Sequence, residues 1–337
     1  MTNFCREASY PEGEAICSNR EPKLFGDPIR TKLRDLSAFA VQSFSLHLTH
    51  STPKGGPVKK TQSRPKTGIV FSSGFFGFFA HAGFLAAIRE LGIKPAACSG
   101  ASSGAIIAAM AASGMTDKSI LEMLLNIKKQ DFWDPDPWYD LLKNAARLLK
   151  GYTGYLKGQG FAHLLQGLPT KRIEDCNIPL IIAATDITLK KEKLFVEGDM
   201  IKALQASGAV PMLFKPVKIG DSLYVDGGMV NKAPVDALAK LRGFKKIIVH
   251  MVASENIEEQ RNIFLKKKLT PLHIHHLAVN IARSEAYARQ VEKARIKGIE
   301  VVEVNSAAPP LGPNKLSMGK TAYDTAKRNS IEILKKF

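Results

Sequence analysis

Residues 98–107, Cys-Ser-Gly-Ala-Ser-Ser-Gly-Ala-Ile-Ile, place two serines between two glycines ahead of a run of small apolar residues. Gly100, Ser102 and Gly104 spell G-x-S-x-G. A strand that reverses directly into a helix strains its apex residue and draws the flanking segments together, which only residues without side chains permit. Such a turn would project the Ser102 hydroxyl out of the fold. A helix starting at Ser103 would aim its unpaired N–H groups and positive dipole end at the same spot, giving a nucleophile and part of an anion site together. The alternative is a small-residue turn that serves only close strand–helix packing. Upstream, residues 69–88 run from an apolar strand-like segment through Ser72-Ser73-Gly74-Phe75-Phe76-Gly77 into a helical pattern, offering a second helix-start anion site. Downstream, Asp226 precedes Gly227 and Gly228, and glycines there let the carboxylate approach another backbone closely.

These groups need a scaffold, and from residue 67 onward strand-like runs alternate with helical patterns: GIVFSS, HAGFLAAIRELG, AACSG, AIIAAMAASG, and later PLIIAATDI and KKIIVHMVA. That alternation predicts a mainly parallel sheet covered by helices. Residues 1–66 are rich in charge, Pro and Ser, and read as a partly disordered N-terminal extension with one helical stretch at 31–44 and a linker at 50–66. Residues 67–337 form the domain. Four cysteines, Cys5, Cys17, Cys98 and Cys176, show neither a disulfide framework nor metal-ligand spacing, so a reducing, cytoplasmic setting is expected. No stretch has the length of a membrane span, and the first thirty residues lack the apolar core of a signal peptide. The formal charge of +17 favours an anionic partner. No zinc finger or aromatic-basic sheet signature accompanies it, so peripheral contact with an acidic lipid surface is expected rather than nucleic acid.

The Ser72–Gly77 loop, the G-x-S-x-G elbow and the Asp226-Gly227-Gly228 motif, in that order, closely resemble those of the patatin-like phospholipase family. The stretch between elbow and aspartate is similar too, including Ala206-Ser207, Pro211, Phe214 and Pro216, and the resemblance covers about residues 67 to 240. It implies an α/β, three-layer fold with a mainly parallel central sheet flanked by helices. It also implies a lipid acyl hydrolase with Ser102 as nucleophile, Asp226 as the base that accepts its proton, no catalytic histidine and no cofactor. Backbone N–H groups of Ser73, Gly74 and Phe75 are expected around the oxyanion, at about 3 kcal/mol per donor. The loop departs from the family's G-x-G-x-x-G, with Ser72 in the first glycine position and Phe76 where an Arg or Lys often sits. Loss of that cation removes a phosphate contact and looks more like a branch that handles neutral acylglycerols.

His250 follows Asp226 and completes the chain order of an α/β-hydrolase triad, but it lies within the strand-like run IIVHMV, where a packed residue is expected. His81, just past the loop, is expected to bond nearby backbone. His273, His275 and His276 lack a carboxylate or cysteine partner at suitable spacing, so no metal is expected. An acyl chain needs an apolar path to Ser102. Phe76, Trp133, Trp138, Leu141 and Leu148 are the candidate lipid-facing residues, the last two on a helical stripe that runs from Leu141 to Tyr152. The same stripe suits an ordinary packed helix, and Lys266–Lys268 suit a solvated face. Acyl transfer by the same dyad, or a catalytically weak lipid-binding scaffold, are the alternatives to hydrolysis.

Overall fold

The computed structural model describes residues 66–139, 152–252, 271–306, 308–309 and 311–337. The expected extension and linker lie outside these residues except for Lys66, as do Leu141, Leu148 and the lysines at 266–268.

Strand β1 (Lys66–Phe71) runs parallel to β2 (Ala97–Ala101), with Ile69 opposite Cys98 and Phe71 opposite Gly100. Between them the chain forms α1 (Phe78–Glu90), and β2 passes through one residue into α2 (Ser103–Ala112). Next come α3 (Asp117–Leu125), capped by the Thr116 side chain, and the short α4 (Lys129–Phe132). Beyond residue 151 follow β3 (Gly154–Leu156), α5 (Gln159–Leu165), β4 (Leu180–Asp186), β5 (Lys191–Phe195) and α6 (Met200–Gly208). The elements β6 (Met212–Phe214), β7 (Val217–Ile219), β8 (Ser222–Val225) and α7 (Val235–Ala239) lead to β9 (Phe244–Val252). The chain closes with α8 (Pro271–Ile296), β10 (Glu300–Ser306) and α9 (Gly319–Leu334).

The main sheet has the order β10-β9-β1-β2-β4-β8-β7, with β5 also paired to β4; β3 and β6 form a separate pair. The five strands from β10 to β4 are parallel, and β5, β8 and β7 are antiparallel additions at one side. Successive side chains of a strand point to opposite faces, and both faces of this sheet are buried. Ile69 and Phe71 pack on one side with Phe84 and Leu85 of α1, Ile107 of α2 and Tyr323 of α9. Val70 between them packs on the other side with Leu238 of α7 and Tyr287 and Val291 of α8. Each such fully buried aliphatic or aromatic side chain contributes roughly 1.5–3 kcal/mol. The expected three-layer α/β architecture is the one observed. Among the described residues no helix is long and apolar enough to cross a membrane.

The sheet also fixes where chemistry can happen. Connections from β1 and β2 leave the carboxyl ends of adjacent parallel strands, the edge at which open α/β sheets bind ligands.

Candidate active site

Ser102 is the single residue between β2 and α2, and its backbone sits at φ 54°, ψ −127°. For a residue with a Cβ such a conformation costs about 1–3 kcal/mol and persists only where the surroundings over-determine it. Here they do. A Cβ on Gly104 would lie 2.3 Å from the Ser72 carbonyl oxygen, and one on Gly100 would lie 2.6 Å from the Gly104 carbonyl. The Ser102 N–H donates to Ser207 Oγ at 2.8 Å, and the Ser207 hydroxyl donates to the Ala183 carbonyl of β4 at 2.6 Å. The close packing that an isolated G-x-S-x-G motif could equally signify is therefore present, and it is what holds the serine in its strained position.

Asp226 lies between β8 and a 3-10 turn at Gly227–Met229. Its Oδ1 accepts the Gly228 N–H at 2.6 Å, its N–H donates to the Ala209 carbonyl at 2.9 Å, and its carbonyl accepts the Thr185 hydroxyl at 2.8 Å. A Cβ on Gly227 would lie 2.1 Å from the same Ala183 oxygen that anchors Ser207, so one carbonyl of β4 adjoins both the elbow and the aspartate turn. Burial pushes the Asp226 carboxyl up to about 6, opposed by the Ser102 hydroxyl, the Gly228 N–H and the Arg283 guanidinium. Oδ2 has no hydrogen bond of ordinary geometry among the described residues. The Ser102 hydroxyl nonetheless acts on the carboxyl, favouring its charged form against burial.

The loop after β1 is tied to β9 and α1 through Ser72. Ser72 donates its N–H to the His250 carbonyl at 3.0 Å, accepts the Val252 N–H on its Oγ at 3.1 Å and accepts His81 Nε2 on its carbonyl at 2.9 Å. Its backbone φ is not positive, so this position does not need a glycine, and the extra hydroxyl ties the loop to β9. The left-handed residue of the loop is Phe76, at φ 53°. The expectation of three oxyanion donors needs correction: the Ser73 N–H is occupied by the Lys232 carbonyl at 2.7 Å, where the turn following Asp226 runs alongside the loop. The N–H groups of Gly74 and Phe75 donate to no described residue. The Ser103 hydroxyl donates to the Gly74 carbonyl.

His250 is buried on β9, and its ring faces His81 rather than Asp226, with Nδ1 to Nδ1 at 2.7 Å. A carbonyl can only accept, so His81 must carry its proton on Nε2 and offer Nδ1 as acceptor to His250. His250 Nε2 then accepts the Ser306 hydroxyl, 2.8 Å away. Burial drives His81 down to about 3 against the opposing Ser72 carbonyl, and holds His250 well below its ordinary value, with His81 adding to the effect. Both rings are neutral at physiological pH.

A cavity of about 250 Å³ opens at Ser102. Its wall includes Phe76, Phe78, Ile106, Met110, Leu165 and Phe214, and among the described residues no charged side chain lines it. Of the candidate lipid-facing residues, Phe76 and Trp133 line the cavity, whereas Trp138 is outside it and 72% exposed. His275 is exposed, and among the described residues no cluster of His, Cys, Asp and Glu could hold a metal ion.

Sequence reasoning missed Arg283, whose Nη1 donates to the Gly228 carbonyl at 3.2 Å. Nothing marked it, because it lies on α8, far beyond the motif. Ser207 stood within a recognised stretch but without a role.

Fold and site together define an α/β protein with a strained elbow serine that lines an apolar cavity and lies beside a buried carboxylate. A family model described as patatin-like phospholipase matches residues 69–239, just over half of the chain, and the chain belongs to that family. It is 25% identical over 204 residues to an uncharacterized NTE family protein of Mycobacterium tuberculosis, covering 57% of this chain and 51% of that protein. It is 29% identical over 169 residues to a probable lipid hydrolase of Invertebrate iridescent virus 6, covering 43% of this chain and 54% of the viral protein. It is 26% identical over 187 residues to a lysophospholipase of Cryptococcus neoformans, covering 56% of this chain and 11% of the fungal one. The chain thus spans about half the length of its mycobacterial and viral relatives and a small part of the fungal protein.

Proposed function

We propose that this protein is a lipid acyl hydrolase that cleaves carboxylic esters through a Ser102–Asp226 dyad, with residues 67–337 as the catalytic domain. The observation that carries the reading is Ser102 in the wall of a cavity with no charged lining side chain among the described residues, with the raised carboxyl of Asp226 beside it. Above about pH 6 the carboxylate accepts the hydroxyl proton as Oγ attacks the ester carbonyl. The tetrahedral oxyanion meets the Gly74 and Phe75 N–H groups, and the leaving alcohol takes the proton back from Asp226. Water then repeats the sequence on the acyl-Ser102 ester and releases a fatty acid.

The cavity suits an acyl chain, each buried methylene contributing about 0.8 kcal/mol. With Phe76 where a cation would stand, the reading favours esters whose headgroup needs no phosphate clamp at the loop. The names of the viral and fungal relatives, a probable lipid hydrolase and a lysophospholipase, agree with a lipid ester as substrate. The +17 charge supports peripheral contact with an anionic membrane. Binding to anionic vesicles should then exceed binding to neutral ones and weaken with salt; indifference to both would remove the membrane from the proposal.

A fluorophosphonate probe and a panel of lipid esters test the whole reading. The probe should label the wild-type protein at Ser102, and neutral acylglycerols should be turned over at least as well as phospholipids. A folded protein that neither labels nor hydrolyses any ester is a scaffold. Transfer to an added alcohol outpacing hydrolysis would make it an acyltransferase.

A further inference from the structure

We infer that Arg283 is the positioning residue of the Asp226 carboxylate: it grips the Gly228 carbonyl so that the Gly228 N–H faces Oδ1, and it supplies the cation that acts on the carboxylate. The inference rests on the reading of Asp226 as the base. Two hydrogen bonds make the chain, Arg283 Nη1 to the Gly228 oxygen at 3.2 Å and the Gly228 N–H to Asp226 Oδ1 at 2.6 Å. Arg283 is half-buried, and its Nε lies buried without a partner among the described residues. A guanidinium keeps its charge under such conditions, so its placement needs a compensating anion. Asp226 is the group that offsets its burial.

The other charged groups nearby do not take that role. Lys232, from the loop after the aspartate turn, is held low by burial and by Arg283 itself, while Glu303 of β10 acts on Lys232 and not on Asp226. Ser102 faces the carboxyl with a neutral hydroxyl. Nor is Arg283 required to fasten α8 to the sheet. Two turns further on, Gln290 Nε2 donates to Asn231 Oδ1 at 3.1 Å, and its Oε1 accepts the Asp236 N–H at 3.1 Å. Tyr287, Val291 and Ala294 bury the same face of the helix. The helix therefore has its own anchors, and the arginine is left to serve the aspartate turn.

Carbon-13 NMR of the full chain labelled at aspartate carboxyls reads this directly, with Asp226→Asn identifying the resonance. In wild type Asp226 should titrate near pH 6. Arg283→Gln should move that titration up by about one pH unit, because the cation that favours the charged carboxylate is gone, and Arg283→Lys should fall between the two. Arg283→Met keeps the packed stem and replaces the Gln variant if the latter does not fold. Gln290→Ala should lower the thermal midpoint and leave the titration in place. An unmoved titration in folded Arg283→Gln or Arg283→Met overturns the inference, and so does an equal movement in Gln290→Ala. The titration needs no turnover. Absence of fluorophosphonate labelling in wild type would therefore sink the hydrolase reading alone, with the NMR result still deciding the role of Arg283.

Discussion

Two buried polar clusters flank the loop after β1, and they are built on opposite plans. In the His81–His250–Ser306 cluster every ring nitrogen has a partner within 2.9 Å, and the Phe84 ring stacks on His250 at 4.4 Å. In the Ser102–Asp226 cluster the serine backbone is strained, and one carboxylate oxygen lacks an ordinary hydrogen bond. A satisfied buried network rigidifies its surroundings, whereas an unsatisfied buried group is a cost the fold must carry. The histidines hold the loop, through the Ser72 carbonyl, on one side. On the other, the raised Asp226 carboxyl keeps the capacity to change protonation. Burial and ionisable side chains are common to both clusters; free hydrogen-bonding capacity is what separates the proposed catalytic pair from the histidine network.

The strongest way to break this contrast is Ser102→Ala, which should abolish fluorophosphonate labelling and ester turnover. Labelling that survives at Ser103 would relocate the nucleophile. Asp226→Asn should follow with a loss of about 10²–10⁴-fold in kcat, and it should also stabilise the fold. The carboxyl is raised in the folded state, so the folded protein binds more protons than the unfolded chain between about pH 4 and the native value near 6. Stability from this group falls across that window as pH rises, and Asn should recover about 1–3 kcal/mol at pH 7. Calorimetry showing Asp226→Asn to be less stable at neutral pH would contradict a strained carboxylate.

His250→Ala should invert the pattern, costing stability on the order of 3 kcal/mol while turnover in the folded variant stays within about tenfold of wild type. An inactive, folded His250→Ala protein would restore a histidine to the mechanism. The two histidines also predict an acid dependence opposite in sign to that of Asp226. Both are held neutral below their ordinary value, so the unfolded chain takes up protons first, and stability is lost as pH falls below about 6.5. Thermal midpoints recorded between pH 7 and 5 for wild type and for a double variant, His81→Asn with His250→Phe, should show the steeper fall in wild type. The smallest effects belong to the hydroxyls behind the elbow. Ser207→Ala removes the acceptor of the Ser102 N–H, and Ser103→Ala removes the donor to the Gly74 carbonyl. Each should lower kcat by about tenfold, equivalent to about 1.4 kcal/mol, with labelling retained. No kinetic effect from either would show that the elbow and loop need no such support.

The motifs were readable because each imposes a local rule. A strand-to-helix reversal needs Gly100 and Gly104 whatever else surrounds it, and alternating apolar runs dictate a covered parallel sheet. The order of the Ser72–Gly77 loop, Ser102 and Asp226 was visible along the chain for the same reason. Partnerships across the fold were not. A histidine in an apolar strand looks alike whether its ring meets an aspartate or another histidine, and only the register of β9 beside β1, His250 opposite Phe71, turned it toward His81. The Ser73 N–H looked available until the Lys232 carbonyl packed against it, because which backbone donors stay free depends on what segment runs alongside. Arg283 carried no local signal: a lone arginine on a helix is defined by what it reaches, and the packing of α8 over the Asp226 turn decided that.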